Sequence, residues 1–265
     1  LALLALCSTH AGLAAAQNQA PEAATGRSAK QGLSFRHQGV AAANPLAVEA
    51  GYAMLRQGGS AIDAAIATQL VLGLVEPQSS GLGGGAFIVL HDAKTGRTRS
   101  YDGRETAPAA AKPERFIGSD GLPLKFYDAV VGGRAVGVPG TVALLAETHR
   151  KHGRLPWRQL FEPAVALAEQ GFPVSPRLNM QLKGERFLKL DPSSRAYFYA
   201  PDGEPWPVGY ALQNPEYAAT LKAIRDGGAK AFYDGDIAAD IVRVARAQAS
   251  ASDLTEADFS AYRVF

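Results

Sequence analysis

Residues 61–92 read "AIDAAIATQLVLGLVEPQSSGLGGGAFIVLHD", an apolar run, a glycine-rich loop and a second apolar run. Within it, Gly81-Leu82-Gly83-Gly84-Gly85-Ala86 satisfies the spacing G-x-G-x-x-[G/A], in which backbone amides at a helix N-terminus meet a pyrophosphate. That chemistry needs a strand before the glycines and a helix after them, because the helix supplies free amides and the positive end of its dipole. Here the order is reversed. Ser60 is a good N-cap with Asp63 in the first turn, and residues 61–75 have scarcely a polar face, which predicts a helix buried on nearly all sides. After the glycines, "AFIVLHD" (86–92) is β-rich, turns over residues 92–96 and returns as "RTRSYDG" (97–103), the pattern of a hairpin. An order of helix, loop and strand removes the helix N-terminus from the phosphate reading. It leaves the expectation that Gly81, Gly83, Gly84 and Gly85 let the backbone bend and approach another backbone or a ligand closely.

On the N-terminal side, Pro45, Val48, Tyr52 and Leu55 fall at helical spacing, and Gly58-Gly59 supply the residues that end such a helix. On the C-terminal side, "TVALLAETHRKHG" (141–153), "EPAVALAEQG" (162–171), "NPEYAATLKAIRDGG" (214–228) and "DIAADIVRVARAQ" (236–248) read as helices with short connections. Asn214-Pro215 opens the third of these, with Tyr217, Leu221 and Ile224 as its apolar stripe. Ile237, Ile241 and Val244 predict a similar stripe on the fourth. Thr255 with Asp258 forms a capping-box pattern for one more helix, and "YAPDGEPWPVG" (199–209) reads as a hairpin or loop inside the domain.

At 47% hydrophobic and 20% charged residues, the 265-residue chain has the composition of a globular domain. Its net charge of +2, with no block of like charges, gives no electrostatic case for nucleic acid or an anionic membrane, so a small-molecule partner is expected. The opening "LALLALCSTHAGLAAAQ" has the apolar region and small-residue cleavage signal of a secretory leader cut after Ala16. The organisation expected is a leader over 1–16, truncated at its start, a flexible mature terminus over 17–36, and one domain over 37–265, exported to the periplasm or secreted. A lipoprotein leader at Cys7 is the less favoured alternative, because Leu6 occupies a position where such signals carry a small residue. Cys7 is the only cysteine, so the mature chain has no thiol for a disulfide, a nucleophile or a metal site. No other apolar run is long enough to span a bilayer.

The stretch from Asn44 to Asp92, then "YDGRETAP" (101–108), "GVPGTVALL" (137–145), "AFYDGDIAADI" (231–241) and "LTEADFSAY" (254–262), resembles the large-subunit half of the γ-glutamyltranspeptidases in order and spacing. The resemblance covers nearly everything from His37 to Phe265. It implies an α/β chain forming part of an αββα sandwich of the N-terminal-nucleophile hydrolase type, incomplete in this chain, from a precursor that cuts itself into large and small subunits. It also implies a Thr nucleophile at the start of the small subunit, beyond Phe265. No catalytic residue is therefore assigned within these residues. The reaction implied is transfer of a γ-glutamyl group from glutathione or a similar donor to water, an amino acid or a peptide, with no cofactor and no metal. Asn44, Ser60 and "ASASD" (249–253) depart from the family pattern, and none of them touches the arginine motif.

The residue that the resemblance singles out here is Arg104, in "GRETAP" (103–108), as the substrate-binding ligand of the donor's α-carboxylate. A guanidinium can offer two parallel hydrogen bonds to a carboxylate, which a Lys point charge cannot. Asp102 and Glu105 are expected to support Arg104 structurally. Ser79 and Ser80 lack a local base and the G-x-S-x-G elbow, so they are read as structural. His149 and His152, beside Arg150 and Lys151, are read as a solvated helix end, and Trp157 and Trp206 as packing residues. An acylase of the same family acting on β-lactam side chains, and a non-catalytic ligand-binding relative, are the alternatives.

Overall fold

The computed structural model of the protein describes residue 32 and residues 34–265. The expected leader over 1–16 and nearly all of the expected flexible terminus lie outside the described residues. Helix α1 (Pro45–Arg56) starts where Asn44 accepts a hydrogen bond from Leu46 N, with Pro45 preset for the first turn, and ends at Gln57 before Gly58 at φ +85°. Helix α2 (Ala61–Val75) opens on a complete capping box: Ser60 caps Asp63 N, and Asp63 returns the bond to Ser60 N. Ten of its fifteen residues are buried, as its all-round apolar sequence requires.

The glycine loop leads into β1 (Ala86–Asp92), which pairs antiparallel with β2 (Arg97–Gly103) in the register Ala86↔Gly103, Ile88↔Tyr101 and Leu90↔Arg99. Strand alternation sends Ile88, Leu90, Tyr101 and Gly103 to one face and Phe87, Val89, Ser100 and Asp102 to the other. After a turn at Pro113–Phe116 and the short α3 (Phe126–Val130), α4 (Thr141–His152) lies on the first of those faces. The approach is close: a Cβ at Gly103 would come within 2.5 Å of the Leu144 side chain. The remaining elements are α5 (Glu162–Gln170), β3 (Phe172–Pro173), α6 (Pro176–Gly184), α7 (Pro192–Phe198), β4 (Ala211–Leu212), α8 (Pro215–Gly227), α9 (Lys230–Tyr233), α10 (Asp236–Ala247) and α11 (Glu256–Ala261). β3 and β4 form a second small antiparallel pair. One hydrophobic core runs through α1, α2, α4, α5, α8 and α9 and includes Ile66, Leu70, Leu145, Phe161, Leu221, Phe232 and Phe259.

The caps at Asn214 and Thr255 form as expected, the latter as a capping box with Asp258. Residues 199–209 form a turn closed by the Tyr199↔Pro205 bridge, within which Trp206 donates to Tyr197 O and stacks on Tyr210. The stripe expected on α10 holds in part: Ile237 and Ile241 pack against the core, but the buried positions lie one residue further on. Ala238, Val242 and Ala245 are buried, while Ile237 and Ile241 are half-buried and Val244 is 41% exposed. The backbone approaches closely at the end of this face: a Cβ at Gly133 would fall 1.8 Å from Ala245 O, and Ser252 N bonds the same carbonyl.

Candidate functional site

Arg104 follows β2 directly. Its backbone N donates to the Asp102 carboxylate at 2.9 Å, and its carbonyl accepts from the Tyr262 hydroxyl at 2.7 Å, so both peptide groups flanking its Cα are held. Thr106 and Val138 bond each other in both directions, continuing the support on the far side. The side chain itself is 67% exposed. Its Nε lies 3.2 Å from Glu105 Oε2, while Nη1 and Nη2 have no partner among the described residues. Asp102 and Glu105 are thus arranged as supports of Arg104, one at its backbone and one at its side chain.

The glycine loop packs under this segment, but the four glycines are not equivalent. A Cβ at Gly85 would lie 2.7 Å from both Glu105 N and Gly103 O, and 2.8 Å from Glu105 Oε2. At Gly84 the nearest atom is an ordinary 3.6 Å away, at Gly81 it is 4.0 Å away, and Gly83 faces open space. None of the four lies in the left-handed region. The expectation that all four serve close approach is therefore corrected to Gly85 alone within this chain, because only there does the loop backbone meet the backbone of residues 103–105. Gly84 contributes its carbonyl, which accepts from Gly140 N at 2.9 Å and Thr141 N at 3.1 Å. The helix N-terminus nearest the loop, that of α4, thus spends these amides on a protein carbonyl, leaving no phosphate cradle.

The loop before the glycines is tied down by Glu76, whose carboxylate is buried and accepts from Asn44 Nδ2 at 3.1 Å and Gln78 Nε2 at 2.6 Å, with Arg177 Nη1 at 3.4 Å. Ser80 accepts from Gln69 Nε2 at 2.8 Å, which fits a structural serine. His149 and His152 point to different partners: Nε2 of His149 lies 2.9 Å from Leu155 O, and Nε2 of His152 lies 2.6 Å from the Tyr101 hydroxyl. Trp157 donates to Ile224 O and packs edge-on against Phe161. Among the described residues no three His, Cys, Asp or Glu side chains gather as a metal site would need, and no helix is long and apolar enough to cross a membrane. An open groove of about 610 Å³ lies between Arg99, Tyr101, Lys151, His152 and Phe265, and another of about 430 Å³ between residues 38–41 and α2; neither includes Arg104. Sequence reasoning missed Glu76 and Tyr262. A helix-ending Glu before a Pro carries no local mark of burial, and Tyr262 stands 158 residues from the carbonyl it binds.

Helices pack on one face of an antiparallel pair whose other face exposes apolar side chains, a layered α/β arrangement, and the solved structures it is similar to, γ-glutamyltranspeptidases, place it as part of the N-terminal-nucleophile hydrolase fold. The chain belongs to the γ-glutamyltranspeptidase family, whose model matches residues 47–265. It is 40% identical over 225 residues to the glutathione hydrolase proenzyme of Bacillus subtilis, an alignment covering 85% of this chain and 38% of that protein. The chain therefore spans well under half the length of that relative. Among solved structures, Helicobacter pylori γ-glutamyltranspeptidase superposes with a TM-score of 0.83 at 33% identity, over 89% of this chain and 66% of that one. The cephalosporin acylase of Bacillus halodurans is similar at a TM-score of 0.69 and 28% identity, over 90% of this chain and 46% of that one.

Proposed function

We propose that this chain is the large-subunit part of an exported γ-glutamyltransferase and glutathione hydrolase, periplasmic or secreted, made as a self-cleaving precursor. Its donor is glutathione or another γ-glutamyl compound. The acceptor is water, an amino acid or a peptide. The small subunit from the same precursor carries the Thr nucleophile. The Thr oxygen bonds to the γ-carbonyl carbon, the C–N bond to the leaving amine breaks with the proton delivered to that amine, and an acceptor then takes the γ-glutamyl group from the ester. The observation that carries the reading is Arg104: its backbone is pinned on both sides while its terminal amino groups are unpartnered and face solvent. An α-amino-acid donor presents the planar carboxylate that such a fork fits. A β-lactam side chain without an α-carboxylate has no such claim on it.

The test is Arg104→Lys and Arg104→Ala in the complete, processed enzyme. Arg104 is exposed in this chain, so the pair in question is the one it forms with a bound donor; truncating one partner of a charge pair buried on binding costs about 2–5 kcal/mol, so kcat/KM should fall tens- to thousands-fold for Ala and less for Lys, which keeps the charge without the fork. Most of the loss should appear in KM, since the carboxylate contact is equally strong in ground and transition states. Self-cleavage should survive, because the scissile peptide is not a bound donor. Wild-type KM in Arg104→Ala would refute the assignment.

A further inference from the structure

Helix α11 and the residues after it grip the Arg104 segment at three points. Phe265 exchanges two backbone hydrogen bonds with Asp102, at 2.7 and 3.0 Å. The Tyr262 hydroxyl donates to Arg104 O at 2.7 Å, and the Asp258 carboxylate, which also closes the α11 capping box, accepts from Ala109 N at 2.8 Å. The middle contact bears most directly on Arg104. The Cα–Cβ direction of a residue is fixed when both neighbouring peptide planes are fixed; Asp102 holds the plane before Arg104, and Tyr262 holds the one after it. Only the side-chain torsions remain, with Nε 3.2 Å from Glu105 Oε2, an ion contact without hydrogen-bond geometry.

Tyr262 is built into place. It is buried, its ring stacks on Tyr233 at 5.7 Å and 7°, and its hydroxyl occupies the space over Gly140, where a Cβ would come within 2.2 Å of it. Burial first, and then the nearby carboxylates of Asp102 and Glu105, push the phenol above its ordinary pKa, so it keeps the proton that a bond to a carbonyl requires. Tyr233 sits in the same stack but aims its hydroxyl elsewhere, donating to Pro139 O at 2.7 Å.

We infer that Tyr262 is a positioning residue for donor binding: it fixes the direction in which Arg104 offers its guanidinium to the donor's α-carboxylate. This inference rests on the reading of Arg104 as the carboxylate ligand.

The experiment uses the complete, processed enzyme. Tyr262→Phe keeps the ring stack and removes the hydroxyl. The loss of one hydrogen bond to a carbonyl should raise KM for γ-glutamyl donors about three- to tenfold, with kcat little changed and with no change for donors lacking the α-carboxylate. Tyr233→Phe, which removes a hydroxyl from the same stack, should lower the melting temperature while keeping the donor KM. In an Arg104→Ala background, Tyr262→Phe should add nothing. Amide hydrogen exchange at residues 104–106 of the precursor, whether or not it self-cleaves, should quicken in Tyr262→Phe and not in Tyr233→Phe. Wild-type KM in Tyr262→Phe, an equal KM rise in Tyr233→Phe, or unchanged exchange would overturn the inference. If Arg104→Ala raises KM and Tyr262→Phe does not, this inference alone falls; if Arg104→Ala leaves KM unchanged, the reading of Arg104 falls and takes this one with it.

Discussion

Glu76 is only 3% exposed, and its carboxylate collects the amides of Asn44 and Gln78 and the guanidinium of Arg177. It thus joins α1, the glycine-loop entry and α6. Removing one member of a buried charged set leaves the others desolvated without their partner, at a cost of about 3–5 kcal/mol. We predict that Glu76→Ala lowers stability by that order, a drop in Tm of roughly 2–4 °C per kcal/mol for a protein of this size, while Glu76→Gln, which keeps the shape, costs less. Thermal melts of both variants decide it; a loss under about 1 kcal/mol for Ala would mean that packing, not the carboxylate, holds the loop. Glu147 makes a smaller, pH-dependent contribution. Hydrogen bonds from Arg150 and Lys151 on α4 lower its pKa from 4.5 to about 2. A depressed acid stabilises the fold above its unfolded pKa and loses that contribution as pH falls toward the folded value. For a surface cluster of this kind that amounts to about 0.3–0.5 kcal/mol, lost between pH 4.5 and about 2, and Glu147→Gln should flatten the stability profile in that window. Of these residues the sequence exposes only Arg104, through its motif. Glu76 and Tyr262 owe their roles to partners 101 and 158 positions away, which no local pattern encodes.

Caps and turns were legible in the sequence because their physics is local. Ser60 with Asp63, Asn214 with Pro215, and Thr255 with Asp258 each satisfy helix-end amides within three or four residues, and each forms as read. The hairpin over 86–103 was legible for the same reason, and its position after a helix was enough to dismiss a dinucleotide site. Non-local approach was not legible. The close approach of Gly133 to the Ala245 carbonyl, and of Gly85 to the backbone of residues 103–105, each joins residues far apart in the chain. This asymmetry within one loop can be measured. Gly83→Ala adds a methyl to open space at a backbone conformation that alanine tolerates, and should leave stability and donor KM near wild type. Gly85→Ala drives a methyl against Gly103 O and Glu105 N, backbone atoms that cannot swing away as a side-chain tip would. It should cost about 1–3 kcal/mol by overpacking and raise donor KM by displacing the Arg104 segment. Equal behaviour of the two variants would show that the loop does not act through this contact.

One face of the β1–β2 pair is covered by α4, and the other presents Phe87 at 62% and Val89 at 73% exposure. An apolar strand face without cover marks an interaction surface. In an αββα sandwich that face receives the second sheet, packed about 10 Å away with interdigitating side chains. Two outcomes follow from this for activity. The 265-residue chain, spanning 38% of its Bacillus subtilis relative, should neither cleave itself nor release product from a γ-glutamyl anilide, because in the proposed function the Thr nucleophile comes from the small subunit. Measurable turnover by the purified chain would contradict that. In the complete precursor, Phe87→Ser with Val89→Ser should impair processing and lower Tm, since each buried apolar side chain lost at a sheet interface is worth about 1.5–3 kcal/mol. In the 265-residue chain alone, the same pair should change stability little and improve solubility, because there the two side chains face water. A precursor indifferent to both substitutions would mean that the second sheet does not seat on this face, and the sandwich would then have to close elsewhere.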